Sequence, residues 1–384
     1  MAPLFPAILI GGPPHSGKST LTYRVSQALH QRGIAHYALR ASPDGEGNWS
    51  MEAPQALVAE LRMHAKSDWS AGFAAAMSRD IAGRHLPLLV DAGGKPSPET
   101  AQIATVCTHA LLLAANLDDL APWRDLLARQ GRGIIAELHS VLDGAQQVTA
   151  TSPVLRGTLN GLARGQSAEG PCLTALVDHL ARYMAYPPEQ LYREHLARTP
   201  IELVINVEQP IYPLPQRDNT TWLPADLPTL LAGLPPNEPL AIYGRGPNWL
   251  YAALAAFAPP RLQVFTALQG WVDPPALRVR DTLAPERLRW EVMPTPTATV
   301  LTGAIPSSYL DYRAAAALPV PPVDPARGLI LSGKLPNWLY AALAQTYRAQ
   351  VPWLAVFQPQ LRGGVVVWSQ ADAVPVGAVV EMEN

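Results

Sequence analysis

Cysteine, lysine, charge and long apolar runs are all scarce in this chain, and each scarcity removes a class of function. Cys107 and Cys172 are the only two cysteines. Two thiols can form neither a disulfide framework nor a four-cysteine zinc site, so both read as core residues of a cytoplasmic protein. The 29 basic residues are balanced by 31 acidic ones, and charged residues make up 16% of the 384. No basic field is available for bulk nucleic acid. The opening run Leu4 to Ile10 is broken by Pro6 and stopped by Gly11-Gly12. It is too short to cross a bilayer and lacks a basic flank, so no membrane partner is expected. Histidine is missing from the C-terminal half beyond residue 195, because all nine (His15, His30, His36, His64, His85, His109, His139, His179 and His195) lie within the first 195 residues. That half therefore has no imidazole base and no His/Cys metal set, and binding is its more economical role.

The lysines that exist are placed suggestively. Lys18, Lys66, Lys95 and Lys334 are the full set, and several sit in or beside glycine-rich stretches. Over the first 185 residues short apolar runs alternate with helical patterns, the signature of a parallel sheet covered by helices. Strands are expected at Ala7 to Ile10, Ala35 to Leu39, Pro87 to Val90, Ala110 to Leu113 and Gly133 to Glu137. Helices are expected to begin near Lys18, Ala53, Ser97, Leu120 and Gly170. Forty prolines, denser after residue 187, and the run Tyr186-Pro187-Pro188 mark a change of texture. The expected division is 1–190, 198–284 and 285–384.

The last two segments contain a repeat. Gly244-Arg245-Gly246-Pro247-Asn248-Trp249-Leu250-Tyr251-Ala252-Ala253-Leu254-Ala255 returns 89 residues later as Gly333-Lys334-Leu335-Pro336-Asn337-Trp338-Leu339-Tyr340-Ala341-Ala342-Leu343-Ala344, with ten of twelve positions identical. Each copy follows a strand-like run, Leu240 to Tyr243 or Leu329 to Ser332, and opens a helix. Two tandem α/β modules explain this better than a solenoid, which needs at least three repeats. Arg245, with Gly246 beside it, and Lys334 place one cation at the mouth of each helix. That pairing suits an anionic ligand of near two-fold symmetry, such as a cyclic or linear oligonucleotide. Trp249, Tyr251, Trp338 and Tyr340 read as core.

The most specific motif is Gly12-Pro13-Pro14-His15-Ser16-Gly17-Lys18-Ser19-Thr20. Its G-x-x-x-x-G-K-S spacing sets backbone N–H groups around phosphate oxygens at a helix N-terminus, with Lys18 reaching the β/γ-phosphates and the Ser19 hydroxyl on magnesium. ATP or GTP with Mg2+ is the expected cofactor. The run Leu86 to Asp91 ends in a carboxylate suited to the same ion, so Asp91 is assigned as its second holder. Its alternative is a turn cap. Lys95, in Gly93-Gly94-Lys95, reads equally as a phosphate contact or a solvated lysine. The loop Ser42-Pro43-Asp44-Gly45-Glu46-Gly47-Asn48-Trp49 offers Asp44 as a catalytic base or second metal contact, against the reading of a polar surface turn. Arg40, Lys66 and Trp69 are weaker candidates for the same face.

The C-terminal repeat resembles the small CRISPR-associated ring nucleases of type III systems, through Leu331 to Tyr340, Ala355-Val356-Phe357-Gln358-Pro359-Gln360-Leu361 and Gly364-Val365-Val366-Val367. The segment around Arg245 resembles a more divergent copy. The first domain resembles the AAA-type P-loop domain fused to some members, through Gly11 to Ser19, Asp91 to Glu99 and Ile135 to Ser140. The resemblance implies an α/β architecture, a P-loop NTPase sheet followed by two small ring-nuclease-like modules. It also implies a cyclic oligoadenylate partner, tetra-adenylate in the family, and a dimeric or tetrameric assembly helped by Mn2+. The family's histidine after the repeated helix is replaced here by Gln345 to Gln350, and its Asp-Pro-Arg-Leu segment by Gln358-Pro359-Gln360-Leu361. Gln358 and Gln360 are thus carried over as ligand contacts rather than as cleavage residues. The resulting expectation is a P-loop NTPase or kinase-like enzyme joined to degenerate ring-binding modules. A surviving ring nuclease, a messenger-sequestering protein and a small-molecule kinase are the alternatives.

Overall fold

The computed structural model describes residues 5–42, 71–162, 169–209, 222–257, 261–306 and 309–381. Asp44, Lys66, Trp69 and the helix start near Ala53 lie outside them. The chain is α/β and divides into two compact units, Met1–His195 with Ala267–Gly270, and Leu196–Thr266 with Trp271–Asn384. No helix among the described residues is long and apolar enough to cross a membrane.

The first unit is built on seven strands: β1 (Ala7–Gly11), β2 (Tyr37–Ala41), β3 (Leu88–Ala92), β4 (His109–Ala114), β5 (Gly133–Ser140), β6 (Gln147–Ala150) and β7 (Leu155–Leu159). Their order is β2-β3-β1-β4-β5-β7-β6, and all neighbours are parallel except β6 and β7. The strand β1 is buried along its whole length, as a central parallel strand covered on both faces must be. Helix α1 (Lys18–Gln31) seals one face with Leu21, Val25 and Leu29, spaced four residues apart so that they fall on one side. Helices α2 (Ala71–Ala82), α3 (Pro98–Val106), α4 (Ala121–Arg129) and α5 (Pro171–Met184) follow. Cys107 and Cys172 are buried, and desolvation pushes their thiols up to about 12 and about 11 respectively.

Two boundaries differ from expectation. The strand β2 begins two residues late, because His36 is fully buried and spends its ring nitrogens on Ile34 O and Ser26 Oγ, both at 2.8 Å. Pro187-Pro188 does not end the first unit. Pro188 instead opens helix α6 (Pro188–Leu196), where a missing N–H costs nothing in the first turn. His195 is fully buried and its Nε2 donates to His85 O over 2.8 Å, so the first unit runs on to residue 195, inside the gap between the expected domains 1–190 and 198–284.

In the second unit the two modules share a centre of three parallel strands with a helix after the middle one. The first carries parallel strands β8 (Leu203–Asn206), β9 (Leu240–Tyr243) and β10 (Leu262–Thr266) with β11 (Gly270–Val272) at the edge, in the order β11-β10-β9-β8. Helix α7 (Leu227–Ala232) precedes β9, and helix α8 (Asn248–Phe257) follows it. After a two-residue strand β12 (Arg278–Val279), the second module carries β13 (Arg289–Pro294), β14 (Ala298–Ala304), β15 (Pro319–Val320) and β16 (Gly328–Gly333). Helix α9 (Asn337–Tyr347), β17 (Trp353–Gln358), β18 (Gly363–Ser369) and β19 (Val379–Glu381) complete it. Its sheet order is β13-β14-β16-β17-β18-β19. One apolar cluster runs through both modules and contains Trp249, Tyr251, Trp338 and Tyr340.

Helices α8 and α9 pack by exchange. The Tyr251 hydroxyl is bonded to the side chain of Asn337, and the Tyr340 hydroxyl to that of Asn248. Each hydroxyl also donates its proton within its own copy, Tyr251 to Gly244 O and Tyr340 to Gly333 O, the latter at 2.6 Å. With that proton committed, each asparagine amide must be the donor to the tyrosine oxygen. Burial raises both phenol pKa values and outweighs the lowering by the asparagine bonds, so the pair stays neutral. Residues exchanged in this way define an isologous interface within one chain.

Candidate phosphate-binding site and the paired turns

Residues 12–19 join β1 to α1 at the carboxyl edge of the first sheet. Gly12 has φ +146, and a Cβ there would lie 1.9 Å from Leu113 O, so the loop's entry admits only glycine. Gly17 caps the helix at φ +90. His15 takes φ +61, a left-handed conformation that histidine visits more readily than branched residues. Lys18 is buried and its Nζ donates to Pro13 O at 2.6 Å, bending the side chain back along the loop. The same ammonium lies 3.5 Å from Ser16 Oγ. Pro13, Pro14, His15 and Ser16 thus form a loop that Lys18 closes from the helix, with Thr20 buried in the first turn behind it.

Asp91 stands at the tip of β3, directly beside β1, with Ile10 as its register partner. Adjacent parallel strands are about 4.8 Å apart, and the consequence is direct contact: Ser19 Oγ donates to Asp91 Oδ2 at 2.8 Å. Asp91 is buried. The following turn is pressed against the loop, since a Cβ on Gly94 would meet Pro14 Cγ at 2.8 Å. Lys95 is exposed, and its carbonyl accepts from Thr100 Oγ1 at 3.0 Å. The structure therefore brings Gly12 to Thr20 and Asp91 into one locus and puts Lys95 on the turn beside it.

The donor set fits magnesium. Ser19 and Asp91 supply hard oxygens, and no group of three or more His, Cys, Asp or Glu residues able to hold a metal occurs among the described residues. Magnesium prefers one or two protein oxygens completed by substrate phosphates and water to an all-protein cage. Sequence reasoning undervalued one neighbour. Arg40, at the tip of β2, pairs in register with Asp91 and reaches Ser19 Oγ with Nη1 at 3.4 Å.

The turns of the second unit repeat the strand, left-handed glycine and helix sequence. Gly244 has φ +94 and Gly333 φ +114, and Leu250 N and Leu339 N donate to Pro247 O and Pro336 O at 2.9 Å in both copies. Arg245 and Lys334 are exposed at matching positions. Gln358 Nε2 donates to Gln360 Oε1 just beyond β17, the strand beside β16, so Lys334 and both glutamines share one edge of the second sheet. The copies then diverge. In the first, Glu208 Oε1 accepts from Arg245 N at 2.9 Å, so a carboxylate caps the turn. Strand register puts Ala304 at the equivalent place in the second. Nothing in the sequence pattern announced Glu208, because it meets Arg245 only through the pairing of β8 and β9.

The comparisons with known proteins match the C-terminal end. A family model described as CRISPR-associated protein (Cas_csx3) matches residues 304–381, the greater part of the second module. That segment is similar to a CRISPR-associated family. Among solved structures, chloroplast FtsY from Physcomitrella patens is similar at 17% identity with a TM-score of 0.29, over 47% of this chain and 66% of that one. The α/β class rests on the strand order and helices described above.

Proposed function

We propose that this chain is a CRISPR accessory protein in which a magnesium-dependent P-loop enzyme, acting on ATP or GTP, is joined to tandem modules that bind a cyclic oligoadenylate. The observation that carries the first part is the 2.8 Å contact from Ser19 to Asp91 beneath a glycine-bounded, lysine-closed loop. Lys18 and the loop amides would bind the triphosphate, and Ser19 and Asp91 would hold magnesium, which supplies charge neutralisation of the phosphates. The paired turns support the second part. Two exposed cations at matching positions of a repeat suit an anionic ligand that repeats itself, and the matched family is CRISPR-associated. Gln358 and Gln360 add neutral hydrogen-bonding groups suited to nucleobases. Manganese and assembly into dimers or tetramers belong to the same proposal.

The test is a melting-point panel of the full chain with ATP, GTP, their diphosphates and cyclic oligoadenylates of several ring sizes, since a ligand of the folded state stabilises by mass action. A shift with a nucleoside triphosphate that Lys18→Ala abolishes supports the enzyme. A shift with a ring that Lys18→Ala leaves intact supports the modules. If saturating ring leaves nucleotide turnover unchanged, the two activities are uncoupled, because a ligand moves an equilibrium only by its differential affinity.

A second reading, sequestration of the ring without cleavage, is favoured by the described second unit, which holds a glutamine pair and no histidine. Intact labelled ring after prolonged incubation with the full chain and Mn2+ agrees with it. Linear product would restore a nuclease.

A further inference from the structure

Strand β13 ends its sheet, with β14 on one side and no strand on the other among the described residues. Natural sheets blunt such an edge with lysine, a bulge or a proline within the strand. The sequence of β13, Arg289-Trp290-Glu291-Val292-Met293-Pro294, has no lysine, its register with β14 is unbroken, and its proline comes last. Every residue of it except Trp290 is exposed, with Val292 at 46% and Met293 at 43%. These two lie on opposite faces of the sheet. Val292 is the register partner of Leu301 and Met293 that of Val300, and the two partners belong to separate apolar clusters. A helix laid on the sheet would cover one of them only. A strand added in the plane flanks both.

The backbone fixes how such a strand would pair. Thr295 N donates to Ala298 O at 2.7 Å where β13 turns into β14, and bonded and non-bonded pairs alternate from there. Glu291 and Met293 therefore direct their N–H and C=O groups to β14, and Trp290 and Val292 direct theirs outward. A second β13 can meet this edge across a two-fold axis in few ways. Centred on Arg289 or on Glu291, like charges stand opposite each other. Centred on Val292, Trp290 faces Pro294, which has no N–H to give. Centred on Trp290, the outward groups of the two tryptophans bond each other, and Arg289 of each copy faces Glu291 of the other in a non-bonded pair, where side chains come closest.

We propose that β13 pairs antiparallel with β13 of a second copy of this chain, Trp290 opposite Trp290, with the two Arg289–Glu291 pairs setting the register. This names an interface for the assembly put forward above and rests on that reading. The strand lies outside residues 304–381, the segment that the CRISPR-associated family model matches. Pairing of the strand with itself closes after two copies, whereas β13 against β19, the other end of the same sheet, would add copies without limit. Across the two-fold axis β14 and β16 run opposite to their counterparts, so the Lys334 edges of the two copies lie on opposite edges of the joined sheet.

The experiment is sedimentation of the full chain over a range of concentrations. It compares wild type, Arg289→Glu, Glu291→Arg, the double variant carrying both changes, and an equimolar mixture of the two single variants. Wild type should reach a dimer and stop there. Each single reversal sets like charges opposite each other twice and should weaken dimerisation about tenfold. The double variant exchanges the signs and should recover to within about threefold of wild type. The mixture should also dimerise, because each chain then carries the charges that the other needs, a result specific to pairing of this strand with itself. Melting points of all variants should match wild type, since the substituted side chains are exposed. If a single variant melts early, the double variant and the mixture decide. A wild-type dimer indifferent to the reversals overturns the proposal and leaves the assembly to another surface. Assembly that grows without limit overturns it in favour of β13 against β19. A wild type that stays monomeric overturns both the interface and the assembly it rests on, so the two failures are told apart.

Discussion

Three times among the described residues a parallel strand runs through a left-handed glycine into a helix with a cation at its mouth: β1 to α1, β9 to α8 and β16 to α9. What differs is the tip of the neighbouring strand. Beside the first turn stands Asp91, hydrogen-bonded to a side-chain hydroxyl, that of Ser19; beside the second Glu208 meets only the Arg245 backbone amide, and beside the third the equivalent residue is Ala304. A glycine turn at a helix N-terminus is sufficient to bind an anion. Turning binding into chemistry takes a second charge on the adjacent strand. Under the proposed function, that contact of a carboxylate with a serine hydroxyl is what would separate reaction in the first unit from recognition in the second.

The sharpest way to break that assignment is to remove the carboxylate. Asp91→Asn keeps the shape and a hydrogen-bonding partner for Ser19 but loses the negative charge, and should cut magnesium-dependent turnover about 10² to 10³-fold. Ring affinity measured on the same variant should not move. Turnover that survives would mean the three turns are functionally alike.

Next in size is the effect of the two module cations. Lys334→Ala should weaken ring binding about tenfold, the scale of a charge-assisted contact. Arg245→Ala should weaken it less, since the Glu208 carboxylate bonded to the Arg245 backbone amide already opposes an anion at that turn. Titration by calorimetry reads both. Equal losses would show that the carboxylate does not distinguish the copies, and Glu208→Ala, expected to tighten binding at the first copy, is the converse experiment.

A smaller effect tests the internal symmetry. Asn337→Ala and Asn248→Ala each remove one donor to a buried tyrosine oxygen and should each cost about 1 kcal/mol in denaturant unfolding. Unequal costs would show that the interface is symmetric in outline only.

Smallest is the pH response of a carboxylate with structural partners. Burial alone would raise the pKa of Glu137, but hydrogen bonds and charge from Arg124 at 2.7 Å and Arg156 at 3.3 Å bring it below the usual value. A depressed folded pKa gives stability that is present above the unfolded value and lost as pH falls through the folded one. Glu137→Gln should therefore melt lower than wild type at pH 7, with the two curves converging below about pH 4. Its magnesium-dependent turnover should match wild type, in contrast to Asp91→Asn.

How much of this was legible beforehand follows from the range over which each signal acts. The loop of residues 12–19 is a contiguous pattern with its strand and helix attached, so the places of Gly12, Gly17, Lys18 and Ser19 in the fold could be read from position alone. Asp91 was legible because an apolar run must stop at a sheet edge, and a carboxylate there is conspicuous. The repeat was legible because the same local sequence occurs twice. Strands β6 and β7 were not, being short and weakly apolar, and helix α6 was hidden because Pro187-Pro188 reads as a break until the first turn is seen to tolerate it. Arg40 and Glu208 acquire meaning only from register: Arg40 from the pairing of β2 with β3, and Glu208 from that of β8 with β9. Register between segments dozens of residues apart leaves no mark on either segment alone. Asp44, Lys66 and Trp69 fall outside the described residues.

The exchange of Tyr251 with Asn337 and of Tyr340 with Asn248 has a consequence for heredity. In a dimer of identical subunits every substitution is made twice, so one half can never specialise without dragging the other along. Here the two halves are spelled by separate stretches of one gene. A Glu208 can arise without a second carboxylate at residue 304, and a glutamine pair can settle at one edge alone. The partnership also survives any dilution, because the halves are never separate molecules. Duplication within the chain has made asymmetry inheritable while keeping the shared core that symmetry built.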